Sequence, residues 1–182
     1  MQKYYLSLLV MLILPLLVFG QDKMGQTDQM SMETKYKMCY NEVLNALTTG
    51  KTDVLDKYMA NDFVEHDPGP MMSNKTGIAR VKEDFAAYHK AFPDMKATVH
   101  AMAVSGDYLF AYLTFTGTTS EPFMGMPANH KMTMNSVDLV RFKGDKAVEH
   151  WGFTSNEDMM KMMQQEKQMG HDNMMNQGTD KK

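Results

Sequence analysis

Cysteine is all but missing. Cys39 is the only one in 182 residues, so no intrachain disulfide can brace the fold even in an oxidising compartment. It falls on a predicted helix beside apolar neighbours and reads as a small buried hydrophobe, with nothing nearby to mark a catalytic thiol. Long apolar runs are missing too. The one such stretch covers residues 6–19, broken only by Ser7 and Pro15, and is shorter than the roughly 20 residues a membrane span needs. Neither sign of charge dominates: 19 Lys+Arg against 22 Asp+Glu leave a formal −3, which gives no basic footprint for nucleic acid. The six histidines never occur as His-x-His or as a helical pair four apart, so the spacing of a zinc or iron site is absent and no metal is expected in the fold.

The short apolar run follows Lys3 and ends at Val18 and Gly20, small enough for the −3 and −1 positions of a cut before Gln21. That is the pattern of a cleaved signal peptide over residues 1–20, with a periplasmic or secreted mature protein and no membrane association after cleavage. Losing Lys3 makes the charge one unit more negative. No Cys follows the cut, so lipid attachment there is not indicated.

Residues 21–32 are polar and read as a flexible leader. From Glu33 a helical period sets in: Tyr36, Tyr40, Val43, Leu44 and Leu47 share a face, and Gly50 closes it. A shorter helix begins at Thr52, followed by an extended piece from Asp62 to His66 that Asp67-Pro68-Gly69-Pro70 stops. A third helix starts near Gly77, with Ile78, Val81, Phe85, Tyr88 and Phe92 on one stripe and Pro93 at its end. The period then changes to 2, and residues 96–104, 108–117, 131–142 and 146–153 read as four strands. The long connection from Thr118 to His130 is expected to overhang the sheet. Helices followed by consecutive strands imply an α+β domain over residues 33–155, with a strongly curved antiparallel sheet and three helices across its open side, a cone around a central pocket. Residues 156–182 form a Met-rich polar tail, partly helical or disordered.

The last hairpin carries the chemistry. With Gly144-Asp145 as a two-residue turn, Phe142 opposes Ala147, Val140 opposes Glu149, Asp138 opposes Trp151 and Ser136 opposes Phe153. Alternation puts these eight on one face and Val137, Leu139, Arg141, Val148 and His150 on the other. The first face mixes aromatics with two carboxylates, so it is expected to be concave, with Asp138 and Glu149 at raised and separated pKa values suited to acid/base work. The bland alternative is a structural acceptor at Asp138 and a lysine partner for Glu149. By the same count His150 points away from Asp138, toward a surface or dimer interface. The second face is also rather apolar, which suits a homodimer formed through the sheet.

Six segments in order then resemble a known group: Phe63-Val64-Glu65-His66-Asp67-Pro68, Ala91-Phe92-Pro93-Asp94-Met95, Phe115-Thr116-Gly117-Thr118, Phe123-Met124-Gly125-Met126-Pro127, Val137-Asp138-Leu139-Val140-Arg141-Phe142 and Val148-Glu149-His150-Trp151. Over about residues 36–153 the chain resembles the SnoaL-like polyketide cyclase, or ester cyclase, family within the nuclear transport factor 2-like superfamily. The resemblance implies ring closure by intramolecular aldol condensation on a polyketide ester, here read as a small apolar carbonyl compound, with no metal or organic cofactor. It makes Asp138 the acid/base and His66 a group that polarises a carbonyl or orients the ligand. Glu149 stands as a further catalytic candidate from the hairpin. Phe63, Phe85, Phe115, Met124, Val140 and Trp151 would wall a substrate.

Methionine is the excess: 22 residues, several crowded between Met159 and Met175 near His171. Such soft ligands suit Cu(I); an oxidant sink or a packed Met stripe are the other readings. Three functions therefore stand side by side: a cofactor-free cyclase or isomerase, a non-catalytic periplasmic small-molecule binder, and a Met-rich Cu(I)-binding accessory protein.

Overall fold

The computed structural model describes residues 23–67, 74–155 and 157–158, with side chains from Ser31 onward. The expected signal peptide, the Pro68-Gly69-Pro70 stop and nearly all of the Met-rich tail lie outside the described residues. Helix α1 (Lys23–Thr49) starts before the periodic stretch at Glu33. A single 3-10 turn (Thr52–Val54) and α2 (Leu55–Tyr58) follow, then β1 (Met59–Glu65), α3 (Gly77–Ala91), β2 (Lys96–Ser105), β3 (Tyr108–Thr118), β4 (Lys131–Lys143) and β5 (Lys146–Thr154). Among the described residues no helix is long and apolar enough to cross a membrane.

The five strands lie in the order β1-β5-β4-β3-β2. Successive hairpins make β2 to β5 antiparallel, as tight turns require. Strand β1 runs parallel to β5, because the whole remaining chain separates it from its neighbour and no hairpin fixes its direction. This overturns the curved, wholly antiparallel cone. The sheet is open and mixed, with β1 and β2 as its free edges.

Alternation sorts each strand as the period-2 pattern demands. On β3, Leu109, Ala111, Leu113 and Phe115 are buried under the helices, while Tyr108, Phe110 and Tyr112 are exposed on the outer face. Each fully buried leucine contributes about 1.5–3 kcal/mol over leaving it in water. Helix α1 presses Tyr36 flat on Phe142, ring centroids 4.0 Å apart and planes 10° from parallel, and Cys39 and Tyr40 are buried beside it. Helix α3 is held against β1 at its first residue. Gly77 has φ 62°, and a Cβ there would lie 2.1 Å from the Asn61 carbonyl oxygen, so only glycine fits.

The ladder between β4 and β5 is not regular. Lys143 pairs with Lys146 and Phe142 with Ala147, but Arg141 then pairs with Glu149. Val148 is the extra residue of a β-bulge. From there to the end of β5 the register differs by one residue from the straight count: Val140 faces His150, Leu139 faces Trp151, Asp138 faces Gly152 and Ser136 faces Thr154. A one-residue step reverses the face of every side chain beyond it.

Candidate functional site

A cavity of about 480 Å³ lies between the helices and the inner face of the sheet, a size suited to a small organic ligand. Its apolar wall includes Phe63, Phe85, Phe115, Met124 and Val140, five of the six residues expected to bind substrate. Helix α1 adds Tyr40, Val43 and Leu47, residues of its periodic stripe. The connection after β3 does overhang. Thr119 Oγ1 receives the His130 N–H at 2.9 Å and donates to the Pro127 carbonyl, drawing the loop closed. Phe123 and Met126 face each other across an isolated bridge and are buried, and Phe123 packs on Tyr88 and edge-on against Phe92. Met124, at the loop tip with φ 46°, reaches the cavity mouth.

Asp138 occupies the cavity wall as β4 alternation predicts, 7 % exposed. Its Oδ2 accepts the Tyr40 hydroxyl at 2.7 Å and its Oδ1 accepts Ser136 Oγ at 2.9 Å. His150 stands beside it, Nε2 3.8 Å from Oδ2, an ion-pair contact slightly too long for a hydrogen bond. The other ring nitrogen of His150, Nδ1, lies 2.9 Å from both oxygens of Glu65 on β1. Tyr40, Asp138, His150 and Glu65 thus form one polar row from α1 across β4 and β5 to the parallel edge strand.

Burial alone would lower the His150 pKa, but the contacts and charges of Asp138 and Glu65 outweigh it and push the imidazole up to about 10. His150 is therefore an imidazolium at neutral pH. Burial, followed by the charge and hydrogen bond of Asp138, raises the Tyr40 phenol well above its ordinary value, so it remains a donor. Burial likewise pushes the Cys39 thiol up to about 12. It gives a weak bond to the Tyr58 carbonyl and has no thiolate character.

The bulge accounts for the four β5 placements that fail, those of Glu149, His150, Trp151 and Phe153. His150 faces Asp138 inside the cavity, not the surface. Trp151 and Glu149, expected inside, lie on the outer face and are not part of the cavity lining. His66 joins them there: its ring stacks on Trp151 at 4.3 Å, 3° from parallel, and Nε2 lies 3.0 Å from Glu149 Oε2. Glu149 also takes Arg141 as an ion-pair partner. The Arg141 hydrogen bond, then that of His66, lowers the Glu149 pKa, opposite to the rise expected of a general acid. Phe153 is an exposed outer residue. His150, Tyr40 and Glu65 are what the hairpin count missed. The order Asp62 to His66 had marked β1 as extended, but nothing in it revealed a parallel partner.

At its rim a Cβ on Gly152 would come within 2.8 Å of the Asp67 side-chain Oδ2, so glycine leaves room for that carboxylate beside β5. Farther along the same wall are Asp67, Asp84 and Tyr88. Among the described residues no group of three or more His, Cys, Asp or Glu is arranged to hold a metal ion.

No functionally curated protein is detectably similar to the chain. Among solved structures, TsrD from Streptomyces laurentii is similar over 71 % of this chain and 94 % of its own, with a TM-score of 0.62 and 18 % identity. A SnoaL-like polyketide cyclase from Agrobacterium tumefaciens covers 69 % of this chain and 94 % of its own, at a TM-score of 0.56 and 16 % identity. At these identities the likeness is one of fold. IdmH from Streptomyces antibioticus, 25 % identical, covers 70 % of this chain and 96 % of its own with a TM-score of 0.59. The sequence pattern of SnoaL-like polyketide cyclases matches residues 37–166, which takes in every strand and every cavity-lining residue. With that match on an open mixed sheet enclosing an apolar cavity, the chain belongs to the SnoaL-like polyketide cyclase family of the nuclear transport factor 2-like superfamily.

Proposed function

We propose that the protein, after export to the periplasm or beyond, binds a small, largely apolar carbonyl compound in this cavity. It then moves a proton on that compound without a bound cofactor, in a cyclase- or isomerase-type reaction. The observation that carries the reading is Asp138, a carboxylate in an apolar wall flanked by the proton-bearing groups of Tyr40 and His150. Asp138 would take a proton from the carbon next to a carbonyl, and the Tyr40 phenol or His150 imidazolium would steady the negative charge that develops on that carbonyl oxygen. In a cyclase the resulting carbanion attacks a second carbonyl of the same molecule, and Asp138 returns its proton to the new alkoxide. The balance is one carbon–carbon and one oxygen–hydrogen bond formed against one carbon–hydrogen bond and one carbonyl π bond broken.

The test begins with the mature protein purified from its own host and its small-molecule cargo identified by mass spectrometry. With that compound, Asp138→Asn should cut turnover by about 100- to 10,000-fold, the usual share of a general acid/base, while affinity is kept. A second reading, a binder without chemistry, is favoured by the fact that both Asp138 oxygens already accept hydrogen bonds. Under it Asp138→Asn alters affinity alone, and no turnover is found in the parent.

A further inference from the structure

Acidic side chains outnumber basic ones in the described lining of the cavity. Glu65, Asp67, Asp84 and Asp138 line it, and among the described residues its lining contains no Lys or Arg. Among the described residues His150 is the one lining side chain able to carry positive charge there, and it is engaged by Glu65 and Asp138. A wall of this sign repels carboxylates and phosphates and favours positive charge.

A second observation lies on α3. Asp84 is 7 % exposed. Its Oδ2 accepts Arg80 Nε at 3.2 Å, one helical turn away, while Oδ1 is buried and has no hydrogen-bond partner among the described residues. Arginine can bind both carboxylate oxygens at once, and here it takes only one. A buried acceptor left unpaired is destabilising, and a ligand donor would relieve it. One turn further along, Tyr88 enters the same cavity. Burial and the charges of Asp67, Asp84 and Glu65 keep its phenol protonated, and its hydroxyl has no hydrogen-bond partner among the described residues.

We infer that the cavity's ligand carries a protonated amine, held between the Asp84 carboxylate and the Tyr88 hydroxyl, on an apolar or aromatic body packed against Phe85 and Phe123. This deepens the reading above by naming the substrate class, and it rests on that reading only in using the same cavity. The ammonium supplies both the N–H donor that Asp84 Oδ1 lacks and a positive charge beside the lining carboxylates. A neutral hydroxyl supplies only the first.

Three probes with one ring system separate the possibilities: naphthylmethylamine, naphthylmethanol and naphthoate, titrated calorimetrically into the whole mature protein near neutral pH. The amine is expected to bind at least about tenfold more tightly than the alcohol, and naphthoate more weakly than either. Asp84→Asn, which keeps shape but removes the charge, and Tyr88→Phe, which leaves the ring in place should the first variant fold poorly, should each shrink the amine-to-alcohol ratio. An alcohol that binds as well as the amine, a preference for naphthoate, or a ratio unmoved in both variants overturns the inference. Asp138→Asn, which removes a charge from the same wall but not from the amine's own partner, should lower the ratio less than Asp84→Asn does. If it does so while also leaving turnover intact, the acid/base role of Asp138 falls and the amine subsite stands.

Discussion

Replacing His150 by glutamine should change how the stability of the fold depends on pH, not merely its size. In the folded chain the imidazole, held by Glu65 from β1 and Asp138 from β4, keeps its proton up to about pH 10 against an ordinary value of 6.5. Between those values the folded state holds a proton that the unfolded chain has released. This contribution is therefore fully present below about pH 6.5 and is lost as pH rises toward 10. At roughly 1.4 kcal/mol for each unit, the loss between about pH 6 and about pH 9 has a ceiling of about 3 kcal/mol. The Asp138 contact at 3.8 Å is longer than a hydrogen bond, and about 2 kcal/mol is the value to expect. The assay is urea unfolding of the parent and His150→Gln at both pH values. Stopping near pH 9 keeps clear of the unfolded-state tyrosines, which ionise near 10. The parent should lose about 2 kcal/mol more than the variant across this range. Parallel pH profiles for the two proteins would refute an imidazolium at this position, and with it the polar row as drawn.

Tyr40→Phe removes the 2.7 Å bond to Asp138 Oδ2 and should cost about 1.5–3 kcal/mol of unfolding free energy; a loss under a few tenths would show that the bond is not formed. Gly77→Ala places a Cβ against the Asn61 carbonyl at positive φ, and a fall of at least about 2 kcal/mol is expected, read by the shift in denaturation midpoint. Mass spectrometry of the exported protein should find an N-terminus at Gln21; an intact Met1 would refute the signal-peptide reading. Exposed Phe110, Tyr112 and Phe153 on the outer face are expected to meet a second copy, so Tyr112→Glu should halve the sedimenting mass. A parent that is monomeric at high concentration refutes this pairing.

Most element positions could be read from periodicity, because each strand from β2 to β5 is half buried and bounded by turn residues. Asp138 was legible for the same reason: its inward direction follows from alternation within β4 and needs no partner strand. His150 was not. Its direction depends on the bulge at Val148, and Ala147-Val148-Glu149 contains no glycine or proline to betray an extra residue. The parallel pairing of β1 was equally hidden, since direction along a sheet edge leaves no mark in so short a run. His66 and Trp151 resisted for a related reason: an aromatic stacked on an exposed histidine looks, in sequence, like a pocket wall.

The irregular step at Val148 ties the two sides of the sheet together by parity. The same extra residue that turns imidazole toward the ligand sends Glu149 to Arg141 and leaves the indole of Trp151 for His66. Removing Val148 outright would restore an even ladder and leave every later side chain facing as it does now. Pulling the strand straight with that residue retained would exchange imidazole for indole in the interior. Inner chemistry and outer surface in this strand are therefore inherited as one unit.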